Sequence, residues 1–279
     1  MPIHDQSYRR YGGRRAMPGQ AWFVIARAGM MTMLRKRPFM GLLIASWGQF
    51  VVGAVAIYVT VNYPQVAMFA ATAESFRGFL ERQDFFVFII TIYVGAGLIA
   101  NDRRANALQI YLAKPLMRTE YIAGKAAVLF AFVLFVTLVP ALLLLLLQVL
   151  FAGSFEFVRK NLFLFPAITI AALLQALLST FTMLALSSLS KSSRYVGILY
   201  AGIIFFTAAI YQALLAITGS TRLSWISVGA NLMQVVDVIF RLKPRYATPW
   251  PVSLIVILGL IALAISVLER RVRGVEVVT

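Results

Sequence analysis

The chain has 279 residues, is 61% hydrophobic and carries a formal net charge of +16. Soluble domains are nearer to about 45–50% apolar, so most of this chain is expected to lie in a lipid bilayer. The chain has no cysteine, and its one histidine, His4, lies in a polar stretch. This composition excludes disulfides and thiolate metal sites and makes a histidine-built metal or catalytic centre unexpected. The basic residues flank apolar segments, which points to anionic lipid headgroups as partners rather than to nucleic acid.

The first 37 residues are predicted to form a cytoplasmic basic tail and an amphipathic helix in the membrane interface. Residues 1–18 are polar and rich in arginine, but Arg27 interrupts the apolar segment that a twin-arginine export signal would need. A start to the first span is the alternative for residues 19–37, and Arg27 with the basic residues 35–37 makes it costly. The predicted helix has an apolar stripe formed by Trp22, Ile25, Ala26, Gly29 and Met33.

Six apolar segments predict an all-α, polytopic membrane protein. The windows between charges are long enough to cross about 30 Å of hydrocarbon, although the second, residues 85–101, is close to the lower limit of about 17 residues. The transmembrane domain is predicted to cover residues 38–268, and a cytoplasmic tail covers residues 269–279. The spans are placed at about 38–61, 84–101, 122–152, 162–188, 195–218 and 249–268.

The distribution of Lys and Arg predicts that both termini are cytoplasmic. With the N-terminus inside, eighteen of these residues fall in inside segments and eight in outside loops, and positive residues are enriched on the inside of membrane proteins. The expected location is therefore the inner, cytoplasmic membrane of the cell. Within the outside connection at residues 222–249, apolar residues at helical spacing predict a short external helix at about 228–241.

The polar residues within the predicted spans are uncharged, and no charged residue is expected in the middle of any span. Proton-coupled carriers and voltage sensors place ionisable groups there, so coupling to an ion gradient is not expected. Hydrogen bonding between helices is the favoured role of these polar side chains. Lining a substrate path is the alternative role for four glutamines, which are Gln49, Gln148, Gln175 and Gln212.

The largest charged segment between spans on the predicted cytoplasmic side is residues 99–125. From Asp102 to Leu112 the spacing predicts a short amphipathic helix whose apolar face carries Leu108, Tyr111 and Leu112. Pro115 cannot continue a helix, so this helix is expected to end before it. On spacing alone, a solvated loop with an interfacial helix and an element that docks a partner are equally supported.

The order of residues in this segment resembles the first cytoplasmic loop of ABC-2 type transporter permeases. That loop reads roughly E-R-E-x-G-T-L-E-x-L-L-A-x-P-x-S-R and is followed by G-K at the next span. Asp102 and Arg103 match the opening acid–base pair, and Gln109 stands where the family usually has an acid. The direct matches are Leu108, Leu112, Ala113, Pro115, Arg118, Gly124 and Lys125. The departures are Arg104, Asn106, Ala107 and Met117, where the family has an acid, Gly, Thr and Ser.

The resemblance implies one permease subunit of an ABC exporter, in which two six-span units are paired with two ATPase subunits. The second permease would be another copy of this chain or a similar chain. This chain has no G-x-x-x-x-G-K-[ST] loop, so it is not expected to be an enzyme, and ATP and Mg²⁺ would bind the partner ATPase. No cofactor or metal is expected in the chain itself. The implied contact with the ATPase comprises Asp102, Arg103, Arg104, Leu108, Gln109, Tyr111, Leu112, Pro115 and Arg118.

A hydrophobic or amphipathic exported substrate is expected, because the predicted spans are apolar and ABC-2 permeases mostly export. The first alternative is a membrane scaffold or anchor whose basic loop docks another partner. The second is a channel or lipid scramblase that works without ATP.

Overall fold

The computed structural model describes residues 21–63, 72–106, 117–152 and 162–272. These residues are helical or lie in short connections, and there is no strand among them. The described part of the chain contains six helices long and apolar enough to cross a membrane, which confirms the all-α, six-span prediction at this level. They are α2 (Arg37–Asn62), α3 (Ala73–Ile90, continued by further turns to Arg104), α5 (Arg118–Ala152), α6 (Leu164–Leu189), α7 (Ser193–Thr218) and α9 (Trp250–Arg271).

The second of these helices begins well before the predicted position. The prediction placed it at about 84–101, because charged residues lie on both sides of the apolar window at residues 85–101. In the structure α3 begins at Ala73, after Thr72 accepts a hydrogen bond from the backbone N–H of Ser75 as an N-cap. It passes at Ile90 into one π-helical turn, Thr91–Gly95, and then reaches the short helix α4, Ala100–Arg104.

The interior of the bundle is formed by α3, α5 and α6. In the most apolar stretch of each of these spans 56% of the residues are buried, whereas 11% are buried in the corresponding stretch of α7. The outer helices α2, α7 and α9 expose large apolar side chains such as Ile44, Phe205 and Ile255. An all-round apolar surface of this kind suits a lipid environment, since lipid tails do not exclude such side chains as water does.

The helix predicted near the N-terminus is α1, Ala21–Leu34, and its apolar stripe packs on α5. The contact is close: a Cβ atom added at Gly29 would lie 2.6 Å from Val128 of α5. The opposite side of α1 is also apolar, with Phe23, Val24 and Met31 exposed. The stripe therefore covers protein rather than lipid, and the interfacial position of α1 stays a prediction.

The predicted external helix is α8, Val228–Ile239, which follows a 3₁₀ turn at Thr221–Ile226. Gly219 ends α7 in the left-handed conformation with a φ of 63°, and the side chain of Ser227 caps α8. The start of α3 meets α8 through Arg77 and Asp237, and the end of α6 meets α4 through Ser187. We call these two ends of the bundle the α8 end and the loop end.

Candidate functional site

At the loop end, Asp102 forms an ion pair with Lys125. These two residues begin and end the ABC-2-like segment, which comprises residues 102–125. The Nζ of Lys125 lies 2.7 Å from Oδ2 of Asp102, and the buried Tyr121 donates its hydroxyl to the same oxygen at 2.7 Å. Lys125 also lies over the ring of Tyr121, 5.5 Å from its centre. Both charged side chains are less than one-fifth exposed, so water screens the pair weakly. This ion pair brings the two ends of the segment together.

The end of α6 holds the junction between α3 and α4. The hydroxyl of Ser187 is fully buried and accepts hydrogen bonds from the backbone N–H groups of Ile99 and Ala100, at 3.1 and 3.0 Å. It donates to the carbonyl of Ala96 at 2.9 Å. These backbone groups lie where the helix is interrupted, so Ser187 satisfies orphan donors that the interruption creates. The sequence reasoning did not identify this serine, because the interruption itself was not predicted.

Two arginines of the segment add to the contact between α4 and the end of α6. Arg103 donates through Nη1 to the carbonyl of Ser188, and Arg104 donates through Nε to the carbonyl of Lys191 at 3.1 Å. Arg103 is partly buried, whereas Arg104 is exposed, as is Arg118 at the start of α5. Of the described basic residues proposed to contact a partner, Arg104 and Arg118 are therefore the ones whose surface is open.

The prediction of one continuous helix from Asp102 to Leu112 is wrong, because the helix is interrupted after Arg104. The helix α4 ends at Arg104, and Asn106 has a φ of 51°, in the left-handed region that a continuing α-helix does not use. Asparagine is the residue after glycine that tolerates this region best. Leu108, Gln109, Tyr111, Leu112 and Pro115 lie outside the described residues, so their predicted placement stays a prediction.

Gly124, another residue of the segment, lies at the crossing of α1 and α5. A Cβ atom there would lie 2.8 Å from the backbone oxygen of Trp22 and 2.8 Å from Cβ of Ile25. Backbone atoms cannot move aside as the tip of a flexible side chain can. Glycine at this position therefore sets how closely α1 approaches the start of α5.

Of the four glutamines proposed for a substrate path, Gln175 alone is buried. It borders a cavity of about 340 Å³ between α3, α6, α7, α8 and α9. Gln212 is exposed on the outer helix α7, and Gln49 and Gln148 are partly exposed on α2 and α5. The structure therefore does not bring the four side chains together. Sequence alone could not show this, because it does not determine the rotation of each helix about its axis.

Beside Gln175 lies an acidic residue, which corrects the expectation that the middle of each span is free of charge. The Nε2 of Gln175 donates a hydrogen bond to Oδ1 of Asp84. Gln175 is near the middle of α6, so Asp84 lies at the level of the middle of that span. The prediction had placed Asp84 at the edge of the second apolar window. A signal for this was present: Phe76, Phe79, Leu80, Gln83 and Val87 continue the helical spacing upstream, and all are buried.

At the α8 end, a network of ion pairs ties α3 to α8 and to the connection that follows it. Arg245 contacts Asp237 through Nε at 2.9 Å and Glu81 through Nη1 at 3.1 Å. Arg77 contacts Asp237 at 3.1 Å and Glu81 at 3.7 Å. Burial raises the pKa of the Asp237 carboxyl to about 6; the charge of Arg77 opposes the shift, and Glu81 adds to it.

These observations define the class of protein: the chain is a multi-pass helical membrane protein. No protein-family model matches it, and no curated protein matches it. The likeness to ABC-2 permeases is therefore carried by the residues of the 102–125 segment and by the layout of the spans.

Proposed function

We propose that the chain is the transmembrane permease subunit of an ATP-binding cassette transporter, driven by a separate cytoplasmic ATPase. The supporting observation is that residues of the ABC-2-like segment have structural roles at the positions where the resemblance places them. Asp102 pairs with Lys125, and Gly124 admits α1 at a close helix crossing. Asn106, where the family has glycine, adopts the backbone conformation that glycine favours.

The contacts of this segment suit a coupling element. Asp102 holds the segment to α5, while Arg103 and Arg104 hold it to the end of α6 and the turn after it. A force applied between residues 106 and 117 would therefore act on α3, α5 and α6, the three most buried spans. Packed helices transmit such a displacement because their interfaces do not deform continuously.

The proposed contact with the ATPase divides into two parts. Asp102 and Arg103 are engaged within the chain, so their role is to position the segment. Among the described residues, Arg104 and Arg118 offer open cationic surface to an acidic partner. The apolar anchors would be Leu108, Tyr111 and Leu112, with Gln109 beside them and Pro115 ending the element.

The full transporter would contain two copies of the ATPase, which bind ATP and Mg²⁺, and a second permease chain. It would lie in the inner membrane with both termini of this chain in the cytoplasm, and it would export a hydrophobic or amphipathic molecule. The apolar lining of the 340 Å³ cavity supports that substrate class.

Cross-linking from a single cysteine tests this proposal, since the native chain has no cysteine. Ala105 is exposed within the segment, and Lys243 is exposed at the α8 end. We expect a photo-activated cross-linker on Ala105→Cys to capture a P-loop ATPase from intact membranes, and the same reagent on Lys243→Cys to capture none. Capture of a partner that is not an ATPase would favour the scaffold, and capture of no partner would favour the channel or scramblase.

A further inference from the structure

We infer that the 340 Å³ cavity is a binding site for a small amphipathic amine, whose ammonium group pairs with Asp84. The cavity lies between α7 and α9 and reaches Asp84 and Gln175 at its inner end. Its walls are mainly aliphatic and aromatic, and Ser179, Thr182 and Tyr200 add hydroxyl groups to them. A mostly apolar cavity with a small number of placed polar groups is the usual form of a small-molecule site.

Asp84 has no cationic partner among the described residues, and one side-chain hydrogen bond is donated to it, by Gln175. An aspartate at the centre of a bilayer costs about 3 kcal/mol even on insertion scales. Burial of a carboxylate is tolerated when a cation and further donors compensate it. A bound ammonium group would supply both the charge and the donors that the chain does not.

The nearby cations are already used. Asp84 lines a smaller cavity of about 20 Å³ together with Arg77, Glu81 and Arg245. Both guanidinium groups make ion pairs with Asp237 and Glu81 instead, and Arg77 also contacts the exposed Glu74 at 4.0 Å. Without the exposed Glu74, these residues and Asp84 give two cations against three carboxyl groups, so this group lacks one positive charge when all are ionised. This imbalance favours a cationic ligand over a neutral one.

The rest of the cavity determines the apolar part of the ligand. Ile203 and Leu263, from α7 and α9, line its walls and are 40% and 62% exposed, and these two helices pack mainly on α6 and α8 with little contact between them. A molecule dissolved in the bilayer can therefore reach the cavity between these two helices. Entry from the lipid suits a ligand with an apolar body and one charged group.

The identification of this amine as a transported substrate depends on the proposed function, whereas its binding does not. The test is equilibrium binding of 1-naphthylmethylamine to the purified full-length chain in lipid nanodiscs, compared with its neutral counterpart 1-naphthalenemethanol. We expect the amine to bind at least tenfold more tightly than the alcohol, because a charge-assisted hydrogen bond is stronger than a neutral one. Asp84→Asn keeps the size of the side chain and should abolish this preference.

Two matched pairs of variants control for folding. Glu269→Gln removes an exposed carboxylate at the end of α9, away from the ion pairs of Arg77 and Arg245, and should leave amine binding unchanged. Gly229 lines the cavity and Gly202 does not, and an added Cβ meets no atom within 4 Å at either glycine. Gly229→Leu should therefore weaken binding of both naphthyl compounds, whereas Gly202→Leu should not.

Equal binding of the amine and the alcohol would overturn the inference, as would unchanged amine binding by Asp84→Asn. Absence of binding to the wild-type chain, for example because a lipid chain fills the cavity, would overturn it as well. If the amine binds but no ATPase is cross-linked, the proposed transport function fails and the binding site stands. If an ATPase is cross-linked but the amine does not bind, the site alone fails.

Discussion

At residue 106 the backbone needs a left-handed conformation, and the side chain there decides how easily the segment adopts it. Asparagine has a φ of 51° at this position, immediately after α4 ends. A β-branched residue would crowd its own carbonyl in that conformation, whereas glycine would not. The local conformation therefore accounts for an asparagine at residue 106.

Replacing Asn106 by valine should destabilise the chain by about 1–2 kcal/mol, the usual cost of a left-handed conformation for a residue with a crowded Cβ. Asn106→Gly should change the stability by less than Asn106→Val. Both can be measured as the free energy of unfolding on titration with SDS in mixed micelles. Equal effects of the two substitutions would show that the conformation at this position is not what the residue is selected for.

The pair of Asp102 and Lys125 gives a second prediction at this scale. Asp102→Leu leaves Lys125 largely buried without its carboxylate, and the expected loss of stability is about 2 kcal/mol, typical of a broken hydrogen bond to a charged group. The double variant Asp102→Leu with Lys125→Met should recover most of this loss, because neither charge is then stranded. A double-mutant cycle on the same unfolding assay checks this, and additive losses would contradict it.

At the scale of helices, the close approach of α1 to α5 depends on Gly124. The residue belongs to the ABC-2-like segment, and its missing side chain leaves room for the backbone of Trp22. The packing of α1 on α5 thus connects the N-terminal helix to the span that leaves the proposed coupling segment.

Gly124→Ala should therefore destabilise the chain by about 1–3 kcal/mol, the range for overpacking a close contact. Gly48 of α2 is the matched control, since a Cβ there meets no atom within 4 Å. Gly48→Ala should instead stabilise α2 slightly through its better helix propensity. Thermal unfolding of the two purified variants would measure both effects, and a neutral Gly124→Ala would show that α1 can move away freely.

The helices were predictable where length and hydropathy determine the structure. They were less predictable where the structure depends on a local backbone conformation or on the rotation of a helix about its axis. The five other spans begin and end within a few residues of their predicted bounds, because a long apolar run has no stable alternative to a helix in lipid. The start of α3 was placed too late, because the charged residues Arg77, Glu81 and Asp84 were taken to lie before the span or at its first residue. Their partners, Asp237, Arg245 and Gln175, are 91 to 164 residues away in the sequence, so a local pattern cannot reveal them.

At the scale of the whole molecule, the two ends of the bundle differ in how their charges are arranged. The α8 end pairs Arg77 and Arg245 with carboxylates and leaves Arg222, Arg241 and Lys243 exposed. The loop end has open basic side chains, among them Arg104 and Arg194 beside the end of α6. Among the described residues, exposed basic side chains are more numerous at the loop end, which agrees with the predicted cytoplasmic position of that end.

Labelling of single cysteines in intact cells tests this orientation. A cysteine replacing Ala105 should react with a membrane-impermeant maleimide after the membrane is opened and not before. A cysteine replacing Lys243 should react in intact cells. The reverse pattern would invert the orientation and would remove the basis for a cytoplasmic partner at residues 102–118.

The central claim, that a separate ATPase drives this chain through residues 102–118, is tested most directly by the ATP hydrolysis captured with the chain. The tagged full-length chain is purified from its native membrane, and hydrolysis is measured on the captured material. We expect activity with the wild-type chain and with Lys243→Ala, and loss of most of it with Tyr111→Ala combined with Leu112→Ala, because buried interface anchors often contribute about 2 kcal/mol or more. Absence of ATPase activity from the wild-type material, or equal activity in all three preparations, would contradict the claim.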